Sequence, residues 1–114
     1  MTERWVTFAK LGRADLVRLA GEIDLANAPE IGREIVRQTG RADAVVIDLT
    51  AVSFLDSAGV RLLDALVGDL FAAGKRTRLV VGERGAARMT LRLCAFREDL
   101  MATDLERAAA ELGN

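Results

Sequence analysis

Apolar side chains fall along this chain in two rhythms, short runs that read as strands and spaced stripes that read as helices. Residues 5–8 alternate weakly, and Leu16-Val17-Arg18-Leu19-Ala20 is a second short run. Gly12-Arg13-Ala14-Asp15 supplies turn residues between them. Ala44-Val45-Val46-Ile47-Asp48-Leu49 is nearly continuous in apolar residues and β-branched at its middle, the pattern of a strand buried on both faces. Arg78-Leu79-Val80-Val81 repeats that pattern, and Leu100 and Met101 predict a last short strand.

The intervening segments carry helical spacing. Ile31, Ile35 and Val36 form one stripe, with Asn27 as predicted N-cap, Pro29 in the first turn, Glu30 completing a capping box and Gly40 as the stop. Over residues 58–72, Val60, Leu63, Val67, Leu70 and Phe71 share a face that Leu62 and Leu66 widen, and Gly74 ends the helix. Residues 86–93 predict a short helix. Thr103-Asp104-Leu105-Glu106 reads as a capping box opening a final helix through Leu112. The order β-β-α-β-α-β-α-β-α predicts an α/β fold with right-handed crossovers. Its mixed sheet would hold about four to five strands packed with about four helices. Residues 1–114 are expected to form a single domain.

Composition narrows the function. An apolar fraction of 51% and a charged fraction of 29% suit a soluble globular domain with one core. The net charge of −1, with no basic stripe, argues against a nucleic-acid partner. No apolar run reaches the roughly 18–20 residues that span a bilayer, so no direct membrane insertion is expected. Met1-Thr2-Glu3-Arg4-Trp5 lacks the apolar stretch of a signal peptide, and a cytoplasmic location is expected. No internal repeat or low-complexity linker is present. Cys94 is the sole cysteine, which rules out an internal disulfide, and its apolar neighbours predict a buried thiol. The absence of histidine removes the commonest general base and metal ligand, so neither an enzyme nor a cofactor is expected.

The candidate chemistry centres on Ser57, in Val52-Ser53-Phe54-Leu55-Asp56-Ser57-Ala58-Gly59-Val60. The central strand is expected to end at Leu49, and the loop 50–56 to project from the sheet edge where ligands of such folds meet the strands. Ser57 would then open a helix. It is either a plain N-cap or a phosphate acceptor at a terminus that tolerates negative charge. A phosphate there would add about −1.5 to −2 charges beside Asp56 without unfolding the helix, as a switch requires. A nucleophilic serine lacks a base, since no histidine exists and neither Lys10 nor Lys75 stands in a Ser-x-x-Lys relation to it. Asp24 is either a partner contact or part of the turn into the first helix. Arg84, Arg88, Arg92 and Arg97 read as a solvated face. Gly82-Glu83-Arg84-Gly85 lacks the Lys-Ser/Thr of a phosphate-binding loop.

Two separated segments together resemble the STAS domains, which include the anti-sigma factor antagonists of bacteria. Gly21-Glu22-Ile23-Asp24 is similar to that family's Gly-Glu-(Leu/Ile)-Asp. The stretch from Asp48 to Gly59 is similar to its Asp-Leu, short loop, Asp-Ser-(Ser/Thr/Ala)-Gly signature. The resemblance covers essentially the whole chain. It implies that Ser57 is phosphorylated by an anti-sigma factor that is itself a serine kinase. The unphosphorylated protein would bind that kinase and free a sigma factor, phosphorylation would release it, and a metal-dependent Ser/Thr phosphatase would reset it. Asp24, Leu55, Asp56, Ser57, Ala58, Gly59, Val60 and Arg61 match positions around the family's contact surface. A side chain at Gly59 would be expected to crowd an approaching kinase. Ala58 departs from the family by lacking a second hydroxyl, and Arg61 stands where some members have a small residue. The same resemblance also covers STAS subunits of membrane lipid-transport ABC complexes and scaffolds of stress-sensing assemblies.

Overall fold

The protein, seen here as a computed structural model that describes residues 5–94 and 96–113, is built on one mixed sheet. Along the chain come β1 (Val6–Leu11), β2 (Ala14–Ile23), α1 (Ala28–Gln38), β3 (Ala44–Leu55), α2 (Ser57–Ala72) and β4 (Arg76–Val80). α3 (Ala86–Leu93), a 3-10 turn at Glu98–Leu100, β5 (Met101–Ala102) and α4 (Leu105–Glu111) complete it. This is the element order that the hydrophobic pattern predicts. The segment from Met1 to Arg4, which enters the expectation about a leader, lies outside the described residues.

Strand order in the sheet is β1-β2-β3-β4-β5. β1 and β2 form an antiparallel hairpin, and every later pairing is parallel. Each parallel connection therefore steps one strand over in the same direction, so right-handed crossovers put α1, α2 and α3 on one face. Their buried side chains, among them Ile31, Ile35, Leu63, Leu66 and Leu91, join Val17, Val45, Ile47 and Leu79 in one core. α4 crosses to the opposite face. There Ala108 and Leu112 pack with Leu16, Ala44 and Val46 near the starts of β2 and β3 and with Val80 and Ala102 of β4 and β5. Farther along that face Asp48 is buried, but its Oδ1 accepts hydrogen bonds from the Thr50 amide (2.9 Å) and hydroxyl (2.7 Å). The Arg18 guanidinium lies 3.8 Å from its other oxygen.

The element boundaries depart from the sequence pattern in ways that packing explains. The β1–β2 turn is only Gly12-Arg13, tighter than expected, and the strands pair up to Leu11 and Ala14. Gly12 makes this possible by adopting φ +61°. β3 does not stop at Leu49. β4 leaves it after Asp48, yet β2 continues to pair with it through Ala51, Val52, Phe54 and Leu55. Register shifts between Arg18 and Ala20 and between Gly21 and Glu22 break the alternation, so this stretch looks like a loop in sequence.

Three apolar positions expected inside lie at the surface. Val36 is 47% exposed because it stands a further 100° around α1 from Ile35. Phe71 is exposed at the edge of α2, with the Arg97 guanidinium 5.4 Å from its ring centroid. Cys94 is exposed, because α3 turns Ala87 and Leu91 inward and leaves its last residues on the outer side. Asp104, rather than Thr103, caps α4 by accepting the Arg107 amide at 2.8 Å.

Ile47 is fully buried at the centre of the sheet. Ile47→Ala is expected to lower the free energy of unfolding by about 2–5 kcal/mol, read as a lower urea midpoint at unchanged slope.

Candidate partner-docking and modification site

The extended pairing of β2 with β3 brings two chain exits side by side. The Asp56 amide donates to the Ile23 carbonyl at 3.3 Å, the last rung before both chains leave the sheet. From β2 the chain enters a turn held by two side chains. Asp24 Oδ1 accepts the amides of Ala26 (2.9 Å) and Asn27 (3.3 Å). Asn27 is buried; its Oδ1 accepts the Asp24 amide at 2.9 Å and its Nδ2 donates to the Glu22 carbonyl at 2.8 Å. Asn27 precedes α1 but makes no side-chain cap, so the predicted capping box with Glu30 does not form. Its amide is committed to the turn instead. Asp24 is the turn-former that its sequence context suggests, and it stays half-exposed.

From β3 the chain passes directly into α2. Asp56, still extended at φ −93° and ψ −175°, is the N-cap, and its Oδ1 accepts the Gly59 amide at 2.9 Å. Ser57 is therefore the first residue of the helix rather than its cap. The reason is the longer strand, which keeps Asp56 extended and aims its carboxylate back over the first turn. The second oxygen, Oδ2, accepts the Leu25 amide at 3.3 Å, so one carboxylate ties both loops together. Ser57 is exposed, and its hydroxyl makes no hydrogen bond to a described residue.

The structure gathers every predicted site residue at this end of the sheet, in two layers. Asp24, Asp56, Ala58 and Val60 are half-exposed, and Ser57 and Arg61 are exposed. Leu55 and Gly59 are buried beneath them. A Cβ on Gly59 would stand 2.4 Å from Leu55 Cδ1 and 3.1 Å from the Ile23 carbonyl oxygen. The glycine is thus required by the protein's own packing, whatever approaches from outside.

Sequence reasoning missed two features. Leu25, at the tip of the β2–α1 turn, is 71% exposed. A lone apolar residue among Asp24, Ala26 and Asn27 leaves no periodic signal. Beside the turn, Trp5, Glu22, Asp24 and Glu30 line a polar recess of about 270 Å³. Of the lysines, Lys10 pairs with Asp15, and Lys75 donates to the Gly40 and Ala42 carbonyls at the opposite end of the strands. The Ser57 hydroxyl thus has neither an imidazole nor a lysine amine beside it to take its proton.

The chain matches the STAS domain over residues 8–110. It is 37% identical over 67 residues to Osmosensory protein A of Mycobacterium tuberculosis, a match spanning 59% of this chain and 42% of that relative's length. Among solved structures, an anti-sigma factor antagonist from Mycobacterium paratuberculosis superposes with TM-score 0.84 at 25% identity, covering 96% of this chain and 93% of that one. The anti-sigma factor antagonist SpoIIAA in its unphosphorylated form gives TM-score 0.75 at 23% identity, over 96% and 97% of the two chains. The phosphorylated form of the Bacillus protein gives 0.69 at 20% identity, over 96% and 99%. At these last identities the likeness is one of fold.

Two substitutions test how the turn is held. Asp56→Ala is expected to lower stability by about 1–2 kcal/mol, while Asp56→Asn, which keeps an acceptor for the Gly59 amide, retains most of it. Gly59→Ala is expected to cost about 1–3 kcal/mol because the Ile23 carbonyl cannot retreat without breaking the β2–β3 rung. Urea unfolding followed by circular dichroism reads both.

Proposed function

This chain belongs to the STAS domain family, and on that premise we propose that it acts as an anti-sigma factor antagonist switched by phosphorylation of Ser57. The observation that carries the reading is the unbonded, exposed Ser57 hydroxyl on the first turn of α2, beside the Asp56 cap. In the unmodified state the rim formed by Leu25, Ser57 and Arg61 binds an anti-sigma factor that is a serine kinase, and the sigma factor is freed. Exposed Leu25 is suited to fill an apolar pocket of that partner, and Asp24 and Glu22 to face its basic groups. The kinase transfers the γ-phosphoryl of ATP to Ser57 Oγ, leaving ADP, and a Ser/Thr phosphatase hydrolyses the ester. The protein itself works by binding. No helix among the described residues is long and apolar enough to cross a membrane, and the ATP-using partner places the exchange in the cytoplasm.

The charge arithmetic gives release a physical basis. A phosphate on Ser57 sits at a helix N-terminus whose free amides and dipole accept it, so the fold is kept. It also adds about −1.5 to −2 charges to a rim that already holds Asp56, Asp24 and Glu22. A partner surface shaped for the neutral hydroxyl meets an anion that it must desolvate without a matching cation.

Affinity capture from a lysate of the source organism, with wild-type protein, Ser57→Ala and Ser57→Asp as baits, tests this. An ATP-binding serine kinase is expected on wild type and on Ser57→Ala, with capture by Ser57→Asp at least roughly tenfold weaker. Phosphate transfer from ATP is expected to wild type and not to Ser57→Ala. Equal capture of the kinase by Ser57→Asp, or full phosphorylation of Ser57→Ala, overturns the switch.

A further inference from the structure

A second surface runs away from Ser57 along the helical layer. Gly32, Arg33, Val36 and Arg37 on α1 recur at helical spacing, and so do Leu62, Ala65, Leu66 and Asp69 on α2. The two rows face each other across a groove of about 400 Å³ that is open to solvent along its length. Pro29 and Leu62 also line its extension of about 250 Å³ toward Leu25, Ala58 and Arg61. The floor is apolar, and Val36 lies 47% exposed in it. The rims are basic. Arg33 and Arg61 form no ion pair with any described residue. Arg37 reaches back to Glu34 on its own helix, and its hydrogen bond holds that carboxyl below the ordinary glutamate range. Among the described residues lining the groove, Asp69 alone is acidic, and it lies at the end remote from Ser57.

We propose that this groove docks an amphipathic α-helix of another protein, apolar along one stripe and acidic along its flanks. Side-chain rows at helical spacing are what a helix packs against, ridges into grooves. A helix laid between α1 and α2 removes Val36, Leu62 and Ala65 from water, and carboxylates on its flanks meet Arg33 and Arg61. A fatty acid would match the same charges but would keep one side wet in so open a trough, whereas small-molecule sites bury most of their ligand. A second copy of this chain has no helix of the right sign to offer. The apolar faces of α1, α2 and α4 are packed in the cores, and α3 presents its exposed Met89 and Leu93 between Arg88 and Arg92. The extension shares Leu25 and Arg61 with the rim proposed for the kinase, whereas Arg33, Val36 and Ala65 lie outside that rim, so the groove is a second docking surface next to the switch.

The test uses the ¹⁵N-labelled full chain and two synthetic peptides of about 15 residues, roughly four helical turns. Both carry leucines on one helical stripe; one has glutamates on the flanks and the other lysines. The glutamate peptide is expected to shift the amide resonances of Gly32, Val36, Leu62 and Ala65, and to bind roughly tenfold more tightly than the lysine peptide. The double variant Arg33→Glu/Arg61→Glu is expected to keep the circular dichroism spectrum and unfolding midpoint of the wild type and to reverse that preference. The proposal is overturned if those amides do not move, if the two peptides bind alike, or if decanoate shifts the same amides while both peptides leave them unmoved. Concentration-dependent shifts of the same amides without peptide would assign the groove to self-association, and would overturn it too.

Discussion

A single carboxylate, that of Asp56, holds the functional end of this molecule together. One oxygen starts α2 by taking the Gly59 amide, and the other takes the Leu25 amide from a loop 31 positions earlier in the chain. Neither bond forms unless β2 and β3 stay paired to their last residues, and that depends on the two register shifts that carry the pairing past Asp48. The close fit below has the same origin. Leu55 and the Ile23 carbonyl rise against Gly59 because β3 runs straight into α2 with only Asp56 between them while still paired to β2. Ser57 then inherits a fixed backbone but a free side chain, so chemistry on its hydroxyl need not disturb what holds the turn.

The layered architecture divides labour between the faces of the helices. Their inner sides fill the core with Ile31, Ile35, Leu63, Leu66 and Leu70, while the outer sides of α1 and α2 converge on a trough. Where the helix ends meet the strand ends, exposed Leu25 and the acidic recess near Asp24 make a rim of opposite character from the arginine-edged trough. One small domain thus offers neighbouring surfaces of different charge, and partners of different chemistry can be told apart by sign before any shape is matched.

Much of this was legible in sequence, and what was not has identifiable causes. The element order, the buried strand around Ile47 and the helix over residues 86–93 followed from periodicity, because core burial enforces it. The motif singled out Asp24, Asp56 and Ser57, which the structure brings to one end of the sheet. Which of Asp56 and Ser57 caps the helix was not decidable from composition, since both are favoured there; the extended backbone at Asp56 decides it. The second half of β3 was hidden because its bulges destroy alternation, and polar Thr50 and Ser53 imitate a loop. Val36 was misplaced because it lies one step around α1 from buried Ile35, and Cys94 because its apolar neighbour Leu93 is itself exposed. Leu25 had no pattern to belong to.

The strand order has a bearing on how the protein is made. Because the sheet runs β1-β2-β3-β4-β5, each strand pairs with the one synthesised just before it. No strand has to wait for a partner beyond the next one in the chain, so each open edge is covered as soon as the following strand arrives. The chain can grow its sheet from one side as it leaves the ribosome. Both loops of the Ser57 end lie within β2 to α2, so that end can take shape while β4, β5 and α4 are still to be translated.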